Sequence, residues 1–197
     1  GGFFDNPVID LDGRFRRVPL FQSYQGQLFP SLALSLTQQA LKNPKMDIQM
    51  VAQGDYLAIT GIQLGHRVIA TDKSGAVQIP FRGPEGSFPY ISIVDILDHK
   101  IATERLRDKI ILLGTSAPGL LDLRSTPVDE SMPGVEIHAN IIAGILDQNI
   151  PQQPAYLIAV QSIGYLSLGL FLLIVPHFLP PIYTLLVCTG LITGSLF

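Results

Sequence analysis

The sequence predicts an α/β domain, with a mixed sheet and flanking helices, followed by a transmembrane helical hairpin. Three observations predict it. Residues 155–197 contain no Lys, Arg, Asp or Glu, so the whole formal charge of −3 lies upstream. A continuous apolar run, Ile110-Ile111-Leu112-Leu113, ends at Gly114; such a run marks a strand buried on both faces. After a loop of about 20 residues reaching Pro133, residues 134–149 show helical periodicity. Strand, loop and helix in this order predict an α/β unit with a crossover.

The 197 residues allow one ordinary domain and something more. We place the boundary at 152, giving a water-soluble part over 1–152 and membrane helices over 153–197. The chain begins Gly-Gly-Phe-Phe and stops inside an apolar run, as expected of a fragment cut from a longer protein. Its mildly acidic balance offers no clustered basic face, so no nucleic-acid partner is expected. The single cysteine, Cys188, lies in the apolar tail and cannot staple the upstream domain. No fingerprint for a cofactor is present, and none is expected.

A membrane-spanning helix needs about 20 mostly apolar residues. Residues 155–175 fit, with Gln161, Ser162, Tyr165 and Ser167 as uncharged polar members. Gly164 and Gly169 are small residues that let helices pack closely in lipid. Pro176, Pro180 and Pro181 then break the helix, and a second apolar run covers 181–197. Membrane lipid is therefore an expected partner. The turn carries no Lys or Arg, so orientation is not legible from charge.

Upstream, residues 8–13 and 15–21 predict a hairpin turning at Asp12-Gly13. Phe29-Pro30 predicts a helix to about Asn43, with Leu32, Ala33, Leu36 and Ala40 facing a core and Ser31, Ser35, Gln38 and Lys42 facing water. Residues 56–60 predict a short strand. Residues 67–70 and 76–81 flank a Gly-tipped turn and predict a second hairpin. Ser92 is placed to cap a short helix through Leu97. In the helix at 134–149, Glu136, Asn140 and Asp147 are expected on the wet face, and Val135, His138, Ile142 and Ile145 on the other.

The long loop and the helix after it hold the candidate site. Loops this long inside compact domains are more often functional, and a parallel strand would aim this one at the crevice where α/β sheets bind ligands. The candidate ligand contacts are Thr115, Ser116, Asp122, Arg124, Thr126 and His138. The competing reading is structural: short polar side chains brace irregular backbone, and His138 is a satisfied interior histidine. A hydrolase reading is also open. Gly114-Thr115-Ser116-Ala117-Pro118 approximates a nucleophile elbow, with Asp122 and His138 as acid and base in the usual chain order. Pro118 replaces the second glycine, however, and the three lie unusually close along the chain. The turn lacks both the P-loop ending and the dinucleotide fingerprint. Glu136 and His138, two apart on a helix, would point about 160° apart and share no metal.

Residues 109–140 resemble the C-terminal signature of the type-two CHASE domain (cyclase/histidine-kinase-associated sensory extracellular). The matching features are Gly114, Asp122, Thr126-Pro127 and Pro133-Gly134-Val135-Glu136-Ile137-His138-Ala139. Asp12-Gly13 with Arg16-Arg17, then Pro30-Ser31-Leu32-Ala33 and Tyr90-Ile91-Ser92, resemble the family as well. The family's N-terminal half, first membrane helix and output module have no counterpart here. The resemblance implies the non-catalytic sensory part of a bacterial membrane receptor, lying outside the cytoplasm on the periplasmic side. It implies an unknown extracellular ligand, a homodimer formed through the full receptor, and a signal passed through the membrane to a cytoplasmic cyclase, kinase or diguanylate cyclase module.

Overall fold

In the computed structural model the described residues are 2–4, 9–53, 56–72, 74–115, 122–152 and 156–178. They fall into two units, Gly1–Gln152 and Gln153–Phe197. In chain order the elements are β1 (Arg17–Pro19), β2 (Phe21–Tyr24), β3 (Gln27–Pro30), α1 (Leu32–Ala40), β4 (Met46–Gln53), β5 (Tyr56–Leu64), β6 (Arg67–Ala70), β7 (Ala76–Gln78), α2 (Ile93–Leu97), β8 (Leu123–Arg124), β9 (Met132–Pro133), α3 (Gly134–Leu146) and α4 (Tyr156–Phe178). A 3-10 turn at Thr103–Arg105 follows α2. The class is α/β, but the single mixed sheet with a crossover is replaced by small sheets. Among the described residues every ladder is antiparallel: β1 with β7, β2 with β3, β4-β5-β6, and β8 with β9. Parallel pairing among the described residues is confined to an isolated bridge between Phe3 and Ser31.

The turn at Asp12-Gly13 forms, with the Gly13 amide donating to the Asp10 carbonyl at 2.8 Å and Gly13 at φ +76°. The strand after it does not fold back on residues 8–12 as expected, Val8 lying outside the described residues. Instead β1 reaches across to β7. The first true hairpin is β2–β3, whose turn residues Gln25 (φ 51°) and Gly26 (φ 77°) are both left-handed, the geometry that twists correctly into a hairpin. The stretch 67–81 is likewise no hairpin: β6 joins β5 and β7 joins β1. The Asp72 carboxylate holds that turn, accepting from the backbone amides of Ser74 and Ala76. β4 and β5 are longer than residues 56–60 suggested, and a register shift at Gln49/Met50 breaks the alternation of β4.

Pro30 closes β3 rather than opening α1. The cap is Ser31, whose Oγ accepts from the Leu34 amide at 3.2 Å, the usual service of a serine at this position. The helix therefore starts later, and its inward face is Ala33, Leu34 and Thr37, with Ala40 exposed. It ends at Leu41, beyond which Lys42 and Asn43 take positive φ. Ser92 occupies the cap position of α2 but makes no side-chain cap bond.

Two further expectations are corrected. The run 110–113 forms no strand. Ile111 is 58% and Leu113 82% exposed, and only Leu112 packs against the core. An unbroken apolar run is buried on two faces only where sheet neighbours flank it, and among the described residues none pairs with it. Two of the three residues expected on the wet face of α3 are buried, Glu136 at 2% and Asn140 at 0% exposure, while Asp147 at its C-terminal cap is exposed. The Asn140 carboxamide accepts from the Arg82 amide and donates to the Glu136 carbonyl, so these polar groups are buried because they hold the loop around residues 82–90. The core joins Leu20, Leu34, Ile62, Leu64, Met132, Ile141 and Ile145 from both ends of the unit.

In the second unit α4 runs for 23 residues without a charged side chain. Among the described residues, no helix is long and apolar enough to cross a membrane. The stretch of α4 in which every side chain is described covers 159–174, about 24 Å at 1.5 Å per residue. The second apolar run, 181–197, lies outside the described residues.

Candidate functional site

A cavity of about 490 Å³ opens in the first unit where the N-terminal arm, α1, residues 111–113 and the start of α3 converge. Its apolar lining includes Phe15, Val18, Leu32, Leu36, Ile111, Leu112 and Ile137. Three of the six predicted contacts line it, namely Asp122, Arg124 and His138.

Two glycines let these pieces meet. A Cβ at Gly134 would collide with the Asp122 carboxylate, so the carboxylate lies directly against the first turn of α3. The Gly134 amide also donates to the Asp122 carbonyl at 2.8 Å. A Cβ at Gly114 would stand 2.5 Å from Cβ of Val135, so the end of the apolar run is pressed onto the same turn. Asp122 and Arg124 are two residues apart at β8. Side chains at that spacing leave an extended chain on one face, which is why both reach the cavity. The Arg124 guanidinium lies 5.3 Å from the Phe15 ring centroid, a cation–π contact. Phe15 is itself tied down by its amide donating to the Ser125 carbonyl.

His138 stands on the opposite side of α3 from Glu136, as their spacing requires. Its Nε2 lies 3.2 Å from the Phe4 carbonyl. A carbonyl only accepts, so Nε2 carries the hydrogen and Nδ1 is left as an acceptor. That Nδ1 is buried and unpaired among the described residues. Burial pushes the imidazole below its ordinary pKa, opposed by the Phe4 carbonyl and by the charge of Asp122.

The other predicted contacts separate from this group. Thr126 is 1% exposed; its hydroxyl donates to the Asp129 carbonyl and accepts from the Asp129 amide. It braces a turn, the structural alternative read from its residue type. Thr115 is exposed and does not line the cavity, and Ser116 lies outside the described residues. No hydrogen bond joins Asp122 to His138, whose donating nitrogen is spent on Phe4. The apolar walls escaped the sequence reading because Phe15, Leu36 and Leu112 are indistinguishable there from ordinary core residues. Gly114 and Gly134 were the usable signal, since glycines at a strand end and a helix start often mark close approach.

No curated protein and no solved structure matches this chain significantly. The CHASE2 domain, an extracellular sensory domain of signalling receptors, matches residues 1–177, from the N-terminal arm into α4. With that match spanning the cavity, the two glycines at its edge and α3, the chain belongs to the CHASE2 domain family.

Proposed function

We propose that this chain is the extracytoplasmic sensor of a bacterial transmembrane receptor, and that its cavity receives the signal molecule. The observation that carries this reading is the convergence of Asp122, Arg124 and His138 on one apolar cavity. Concave sites with a few convergent polar groups on apolar walls are the usual form of small-molecule sites. The membrane part rests on the sequence: residues 155–197 carry no Lys, Arg, Asp or Glu, and about 20 mostly apolar residues suffice to cross the hydrocarbon. A second uncharged apolar run follows at 181–197. Occupancy would shift the balance between two arrangements of domain and helices, and the helices would hand that shift to a cyclase, kinase or diguanylate cyclase module.

The test is labelling in intact cells. In a Cys188→Ala background, a cysteine introduced at the exposed Lys45 should react with a membrane-impermeant maleimide before lysis. Reaction only after lysis would place the domain in the cytoplasm and end the reading. In the full receptor, Arg124→Met should then abolish the response of the output module to its stimulus.

A further inference from the structure

The cavity carries a pair of opposite charges that do not neutralise each other. Asp122 and Arg124 both line it, yet no ion pair joins them, and among the described residues neither has another ionic partner. Their Cα atoms, two residues apart in extended chain, stand about 6.6 Å from each other at ~3.3 Å per residue. The Arg124 guanidinium is anchored over the Phe15 ring at 5.3 Å from its centroid, and among the described residues no salt bridge occupies its N–H fork. Asp122 is wedged against Gly134, which fixes the carboxylate. Partly buried charges of this kind are costly unless paired. The remaining wall is aliphatic and aromatic, and His138, held neutral by its burial, adds no net charge.

We infer that the cavity binds a zwitterion with an apolar body, of the chemical class of an α-amino acid bearing an aliphatic or aromatic side chain. Its carboxylate meets the Arg124 fork, the geometry in which guanidinium recognises carboxylate in two parallel bonds. Its ammonium meets Asp122. Its side chain lies along Leu32, Leu36 and Ile137. A volume of about 490 Å³ admits the largest natural side chains. An apolar acid would leave Asp122 unpaired, and an apolar amine would leave Arg124 unpaired, so the arrangement discriminates against both. This inference rests on the cavity being the sensory site.

Titration calorimetry on the full chain in detergent micelles tests it, with four probes: L-leucine, L-phenylalanine, 4-methylpentanoate and 3-methylbutylamine. At least one amino acid should bind about tenfold or more tighter than both single-charge analogues, the scale of one ionic contact. Arg124→Met should weaken the amino acid at least tenfold and leave 3-methylbutylamine unchanged. Asp122→Asn should weaken the amino acid and leave 4-methylpentanoate unchanged. Should Asp122→Asn disturb the fold, Leu36→Trp gives a second route: it fills the apolar wall and should abolish binding with both charges intact. Equal binding of the acid or the amine overturns the zwitterion while leaving the cavity as a sensor. Binding of none of the probes overturns the inference. Tight amino-acid binding with no change in receptor output supports the inference and defeats the sensory reading.

Discussion

The Tyr90 hydroxyl donates a 2.7 Å hydrogen bond to Oε2 of Glu136, a side chain only 2% exposed. The Gly86 amide donates to the same oxygen at 3.1 Å, and Oε1 has no partner among the described residues. Burial and the bond to Glu136 hold the phenol above its ordinary pKa. The pair fastens the loop before α2 to the first turn of α3, on the side facing away from the cavity. Tyr90→Phe deletes one of the two donors to a buried carboxyl group. We expect a loss of about 1–3 kcal/mol, the cost of an under-satisfied buried polar group, measured by chemical denaturation. Tyr24→Phe, at an exposed hydroxyl, should stay within about 0.5 kcal/mol. Equal effects would mean that the Tyr90 bond contributes nothing.

Gly114→Ala should separate the end of the apolar run from α3. The new methyl would stand 2.5 Å from Cβ of Val135, too close for either backbone to hold its place. Overpacking of this type costs about 1–3 kcal/mol. A paired Val135→Gly change should recover part of the loss, because it removes the Cβ that the new methyl would meet. A double variant no more stable than Gly114→Ala alone would show that the two do not press on each other.

These relationships explain how far the sequence could be read. Gly114, Asp122, Gly134 and His138 stood out, and three of the six proposed contacts share the cavity, because turn glycines and polar residues in a loop announce themselves by type. Strand partners did not. β1 and β7 are 59 residues apart in register at Val18 and Val77, and no local pattern encodes that pairing. Local signals were also overridden. The alternation of β4 is broken by its register shift. The polar face of α3 is buried at Asn140 and Glu136 because these two bind backbone amides of a distant loop.

Leu113→Lys separates the two accounts of the run 110–113. Were Leu113 a buried strand residue, an unpaired lysine there would cost several kcal/mol. At 82% exposure the substitution should change stability by no more than about 0.5 kcal/mol. It should also reduce self-association, since Ile111 and Leu113 present bare apolar surface. Denaturation and sedimentation velocity on the full chain in micelles read both quantities. A large destabilisation would return the run to the interior of a sheet.

His138 predicts the pH dependence of stability near neutrality. Its folded-state pKa is depressed by burial below the ordinary 6.5. As pH falls below that value the unfolded chain takes up a proton that the folded chain resists, so the free energy of unfolding decreases. The contribution of the neutral ring is therefore complete above pH 6.5 and is lost as pH falls through the depressed folded value. His138→Gln keeps an N–H donor for the Phe4 carbonyl but cannot titrate. Between pH 7.5 and 5 the melting temperature of the parent chain should fall more steeply than that of the variant. Parallel curves would mean that the imidazole protonates as readily folded as unfolded, and that the ring is open to water at the mouth of the cavity rather than held against Phe4.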